Sequence, residues 1–102
     1  MLASFSILPV GVGEELKEHV AKVLALVDES GLDYKLGAMQ TTVEGNPDDV
    51  ISLIMKCHRL MKDIAPRVLT SITIDDRKGA GGRLTGKVSD VEEVLKRRLS
   101  HE

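Results

Sequence analysis

The side chains able to carry covalent or acid–base chemistry are few and scattered. His19, His58 and His101 lie far apart, and none stands at metal-ligand spacing from another histidine or from the single cysteine. Structural or surface roles are the expectation for all three. Cys57 shares an apolar helical stripe with its neighbours, which predicts a buried thiol and not a nucleophile. His58, next in sequence, points about a hundred degrees away around such a helix. Gly79-Ala80-Gly81-Gly82, with Arg77, Lys78 and Arg83, lacks the Lys-Ser or Lys-Thr pair of a phosphate-binding loop and reads as a connector. What remains is a set of hydrogen-bonding groups without an acid–base partner: the hydroxyls of Ser4, Ser6, Ser71 and Thr73, and the Asp75 carboxylate at a strand end. Hydroxyls can donate or accept. Such a set suits non-covalent recognition better than catalysis.

The pattern of apolar residues places these groups. Residues 2–8 alternate, with Ala3, Phe5 and Ile7 on one side and Ser4 and Ser6 on the other, as in a strand. From Glu14 to about Ser30 the period becomes helical, with Leu16, Val20, Val23, Leu24 and Val27 in one stripe and Gly31 at the capping position. Residues 33–45 lack a helical stripe and predict two short strands joined by a turn or bulge near Met39 and Gln40. Asn46-Pro47-Asp48-Asp49 starts a second helix: a cap, a proline at the first helical position, and two acids at the positive helix end. Pro66 ends it. Val68 to Asp76 alternates again, with Val68, Thr70, Ile72 and Ile74 opposite Leu69, Ser71, Thr73 and Asp75. After a Gly-rich, basic loop, Ser89 and Glu92 resemble a capping box before a short final helix.

The order β-α-β-β-α-β predicts a single α+β domain over residues 1–102. It is a ferredoxin-like sandwich: a four-stranded antiparallel sheet with helices on one face, plus a C-terminal helix. The opposite face then carries Ser4, Ser6, Ser71 and Thr73. A merely solvated face usually carries long charged side chains, whereas small hydroxyls allow close approach of something flat. Another sheet in a dimer and a small polar ligand are both compatible with that face.

Composition narrows the function. The chain has 102 residues, a formal net charge of -2, one Phe, one Tyr and no Trp. That balance lacks the basic footprint of a nucleic-acid binder, and there are too few rings to stack bases. A single cysteine gives no internal disulfide, and no apolar run approaches the roughly 20 residues needed to span a membrane. With no signal peptide evident, the expected location is cytoplasmic.

Gly37-Ala38-Met39-Gln40-Thr41-Thr42-Val43-Glu44-Gly45 is similar to the G-P-M-G-T-x-(I/V)-E-G segment of the thiamine-binding, YkoF-like domains. Arg67-Val68, Asp75-Asp76-Arg77 and the opening strand with Pro9 and Gly11 also match that family, over nearly the whole chain. Two positions depart from it: Ala38 stands in place of the family's Pro, and Gln40 in place of its second Gly. The resemblance implies a ferredoxin-like domain that forms dimers or tetramers through its sheets. It also implies binding of thiamine or its hydroxymethylpyrimidine part without catalysis. It adds Met39, Thr41, Thr42 and Glu44 to the candidate ligand residues. Met39 can pack on a ring through its sulfur, and Glu44 or Asp75 can offset the thiazolium charge. Simple alternation puts Thr41 and Glu44 on opposite faces, so serving one ligand together requires a bulge that re-aims Thr41.

The expected function is thus a non-enzymatic small-molecule binding protein with no cofactor or metal, no nucleic-acid or membrane partner, and a homo-oligomeric state. The alternative is an oligomeric regulatory or interaction module without a ligand. A small enzyme is the third reading, but no convincing base supports it.

Overall fold

The computed structural model describes residues 1–13 and 16–79. Its elements are β1 (Leu2–Val10), α1 (Leu16–Glu29), β2 (Asp33–Leu36), β3 (Thr41–Glu44), α2 (Pro47–Ile64) and β4 (Arg67–Asp75). The strands form one antiparallel sheet in the order β2-β3-β1-β4. This is the ferredoxin-like βαββαβ arrangement predicted from the alternating periods. The expected final helix after Ser89 and most of the Gly-rich loop lie outside the described residues.

Local chemistry explains the element ends. The Asn46 side chain accepts a hydrogen bond from the Asp48 N–H at 2.9 Å, and Pro47 follows in the first turn of α2. Past the C-terminus of α1, Gly31 adopts φ +77°, a backbone region that glycine enters without penalty. At the other end of α2, the Ala65 N–H still reaches the Met61 carbonyl at 2.9 Å before Pro66 turns the chain into β4.

The core lies between the sheet and the two helices. Ala3, Phe5 and Val43 face it from the sheet, Val23 and Val27 from α1, and Val50, Leu53, Ile54, Cys57 and Met61 from α2. The stripe of α1 is rotated from the one its apolar residues predict. Its buried line is His19, Val23 and Val27, while Leu16 and Val20 are 40% and 38% exposed. The i, i+4 spacing from Val23 and Val27 carries His19 inward with them.

Strand register fixes every face. β1 pairs with β4 without interruption from Leu2↔Asp75 to Val10↔Arg67, and with β3 from Leu2↔Glu44 to Phe5↔Thr41. No bulge interrupts β3, so the re-aiming expected for Thr41 does not occur. Thr41 lies opposite Phe5 on the helix side, and Thr42 and Glu44 lie on the outer face. Ile72 and Ile74 share the helix side, as alternation predicts. They remain 41% and 49% exposed, because β4 is the edge strand.

The cap predicts a measurable contribution. Asn46→Ala is expected to destabilise the fold by about 1 kcal/mol, and Asn46→Asp to leave it nearly unchanged. Urea unfolding followed by circular dichroism checks both, and equal midpoints for wild type and Asn46→Ala would remove the cap from the account of α2.

Candidate functional site

The β2–β3 hairpin builds one side of a cleft. Leu36 pairs with Thr41, and the Gly37 N–H reaches the Gln40 carbonyl at 2.8 Å. A Cβ on Gly37 would stand 2.8 Å from that same carbonyl oxygen, so the close approach requires glycine here. The turn ends β3 at Thr41, and among the described residues no strand pairs with β1 beyond that point on that side.

A cleft of about 300 Å³ fills the resulting space. Its floor is the core side chains Phe5, Val23 and Met61. Val20 and Leu24 of α1 and Leu36 of β2 form its walls, and Ser6 and Ile7 line it from β1. Gly37, Ala38, Met39, Gln40 and Thr41 complete the ring. The cavity is mostly apolar with a few polar groups at its edge, the usual make-up of a small-ligand site. Met39 stands at the mouth, 86% exposed, a flexible thioether free to settle on whatever enters. Gln40 spans the rim: the Ser4 hydroxyl on the outer face donates to its Oε1.

The structure therefore sorts the sequence-derived residues into two groups. Met39, Thr41 and Ser6 line the cleft. Ser4, Thr42, Glu44, Ser71, Thr73 and Asp75 belong to the outer face, which the Ser6 side chain also joins by alternation. Register sets Lys35, Thr42, Ser4 and Thr73 in one row and Asp33, Glu44, Leu2 and Asp75 in the next. The outer face is thus less uniformly small than β1 and β4 alone indicate, because β2 contributes Asp33 and Lys35. Towards the opposite end, Leu8 and Leu69 pair with each other and are 53% and 45% exposed. Sequence reading missed the helix contribution to the cleft, since Val20 and Leu24 looked like ordinary stripe residues. It also missed that Gln40 touches Ser4.

The chemically capable residues lie elsewhere. Cys57 is fully buried, with its thiol 3.9 Å from the Val23 carbonyl, and desolvation pushes its pKa from 9.0 up to about 11. A protonated, buried thiol is a packing group. The His58 Nδ1 lies 2.7 Å from the Thr70 Oγ1, which ties α2 to β4. The buried His19 Nδ1 has no hydrogen-bond partner among the described residues. Among those residues no group of His, Cys, Asp or Glu is arranged to hold a metal ion, and no helix is long and apolar enough to cross a membrane.

Comparison with known proteins gives this geometry a context. Residues 3–92 match the family described as thiamine-binding protein. The chain belongs to that family. A UPF0045 protein of Mycobacterium bovis is 36% identical over 95% of this chain and 96% of its own length. Another, from Clostridium perfringens, is 34% identical over 74% of this chain and 81% of its own. Among solved structures, a domain of unknown function from Bacillus cereus superposes with a TM-score of 0.76 at 33% identity, covering 85% of both chains. A hypothetical protein from Methanocaldococcus jannaschii gives 0.78 at 27% identity, covering 90% of this chain and 95% of its own. The description of the family names binding and not a reaction.

The buried thiol gives a pH prediction. Below pH 9 Cys57 is protonated in both folded and unfolded chains, and its ionisation does not affect stability. Between 9 and about 11 the unfolded thiol ionises first, so stability falls as pH rises through that window. The urea midpoint of the reduced protein is expected to decline more steeply there than that of Cys57→Ala. Parallel declines would show that the thiol ionises as readily folded as unfolded.

Proposed function

We propose that this chain is a non-enzymatic binding protein for thiamine or its hydroxymethylpyrimidine part, working in transport, storage or sensing in the cytoplasm. The observation that carries the reading is continuity. Five consecutive residues of the segment that resembles the family's, Gly37 to Thr41, line the same cleft. The flat pyrimidine suits a narrow apolar space with the Thr41 hydroxyl at its edge, and Met39 can close over the ring. The thiazolium part, larger and cationic, then extends towards the mouth.

Glu44 and Asp75 stand one strand apart across Leu2 on the outer face. In this reading they act outside the cleft, and Ser4, Ser6, Thr42, Ser71 and Thr73 serve a second purpose. Short hydroxyl side chains beside exposed Leu8 and Leu69 allow two sheets to pack closely, and homo-oligomers through the outer face are part of the proposal.

Two experiments test these parts separately. Calorimetric titration with thiamine and hydroxymethylpyrimidine is expected to show saturable binding. Thr41→Val should weaken it about tenfold through a lost hydrogen bond, and Glu44→Gln should change hydroxymethylpyrimidine binding little. The reverse order of effects would move the ligand to the outer face. For assembly, sedimentation of Ser71→Trp is expected to show a smaller species than wild type. An unchanged oligomer would take Ser71 out of the interface.

A further inference from the structure

Among the described residues, the inner edge of β1 has no strand partner inside the cleft, and the pairing before it fixes the direction of its backbone groups. Met1 and Gly45 exchange both main-chain bonds: the Met1 amine donates to the Gly45 carbonyl at 2.8 Å, and the Gly45 N–H donates to the Met1 carbonyl at 3.0 Å. In an antiparallel pair such exchanging residues recur at every second position. The odd residues of β1 therefore aim N–H and C=O towards β3, and the even residues aim theirs towards β4. Pro9 provides an independent check. It is paired with Val68 in the middle of the β4 register, which a proline tolerates when its missing N–H would have pointed away from that partner. Pro9 is odd and so belongs to the set that faces β3.

Ladder pairing with β3 ends at Phe5↔Thr41. The next odd residue is Ile7, which lines the cleft. Its N–H and C=O are aimed at the place where β3 would have continued, and that place is the cavity. Among the described residues, no backbone bond outside the helices and strands reaches Ile7. A main-chain donor and acceptor side by side, over a floor of Phe5, Val23 and Met61, carry a cost unless something pairs with them.

We propose that Ile7 reads the ligand through its main chain: its N–H donates to a ring nitrogen, and its C=O accepts from the adjacent exocyclic amino group. This rests on the cleft as the ring-binding site and states how that site selects. The class recognised is a planar heteroaromatic ring whose edge places an acceptor nitrogen beside an amine. The aminopyrimidine of thiamine has that edge, and it adds to β1 as a short strand would. Shape then discriminates among such rings through Leu36, Val20 and Met39. Discrimination by the main chain explains how the site can be specific although, among the described residues, no charged side chain lines it.

Nuclear magnetic resonance of the isotope-labelled full chain tests this directly, with hydroxymethylpyrimidine as probe. In the free protein the Ile7 amide is expected to exchange rapidly with solvent. At saturation it should become protected and move downfield. The analogue lacking the amino group should bind about tenfold more weakly, the loss of one hydrogen bond. Ile7→Pro removes the donor without touching the β4 ladder and should also lose about tenfold or more, whereas Ile7→Ala, which keeps the donor, should lose less. If Ile7→Pro does not fold, the wild-type amide decides alone. Probe binding that shifts Thr41 and Met39 but leaves Ile7 exchanging rapidly overturns the inference and keeps the cleft. An Ile7 amide already protected in the free protein overturns it too, since the edge then has another occupant. No binding of the probe removes the cleft reading and this inference together.

Discussion

The unequal pairing of β1 is the constraint on which the rest depends. On one side it meets β4 over all nine of its residues, and on the other it meets β3 over only four. The difference is set by a turn. Gly37 allows the backbone to fold back against the Gln40 carbonyl, and that contact stops β3 at Thr41. A longer hairpin would continue the sheet across the gap and satisfy β1 with another strand. The short one leaves a notch, and α1 walls it with Val20 and Leu24.

The notch does not stand apart from the stability of the fold. Phe5, Val23 and Met61 are each less than a tenth exposed and belong to the main core cluster, yet all three also form the cleft floor. The site is therefore held by the packing that holds the domain, and a rigid floor is a condition for selecting a flat ring by shape. Phe5 is the only phenylalanine in the chain, so aliphatic and sulfur side chains do most of the filling. In a domain this small each contributes noticeably, which fits the placement of Cys57 and Met61 deep in the interface between α2 and the sheet.

Much of this was legible in the sequence. Alternation in residues 2–8 and from Val68, the Asn46-Pro47 start and Gly31 gave the strands, both helices and their order, because each is a local signal. The β2–β3 segment was legible as two short strands but not as a wall, since a cleft is made by residues distant in sequence. Resemblance singled out Met39 and Thr41, which do line the cleft, and Glu44, which lies on the opposite face. The rotation of α1 about His19 was hidden because a histidine on the apolar line reads as an interruption. Its burial follows from Val23 and Val27, one and two turns further on. Nothing in a side-chain pattern could show that β3 stops short of Ile7, because that depends on where the hairpin turns.

A sheet one residue thick divides adjacent residues between two environments, and in β3 the division falls inside the segment that resembles the family's. Thr41 belongs with Phe5 and the cleft; Thr42, one residue on, belongs with Ser4 and Thr73 on the outer face. A continuous stretch of similar sequence can therefore reflect two separate requirements, a cavity on one side and a surface on the other. Gln40 lies at the point where the two meet. It lines the cleft, and its amide oxygen accepts the Ser4 hydroxyl from the outer face. A glycine at that position offers no such link, because it has no side chain to narrow the rim or engage the outer row. The departure at Gln40 thus changes the boundary between the two faces, and leaves intact both the apolar floor beneath it and the strand register on either side.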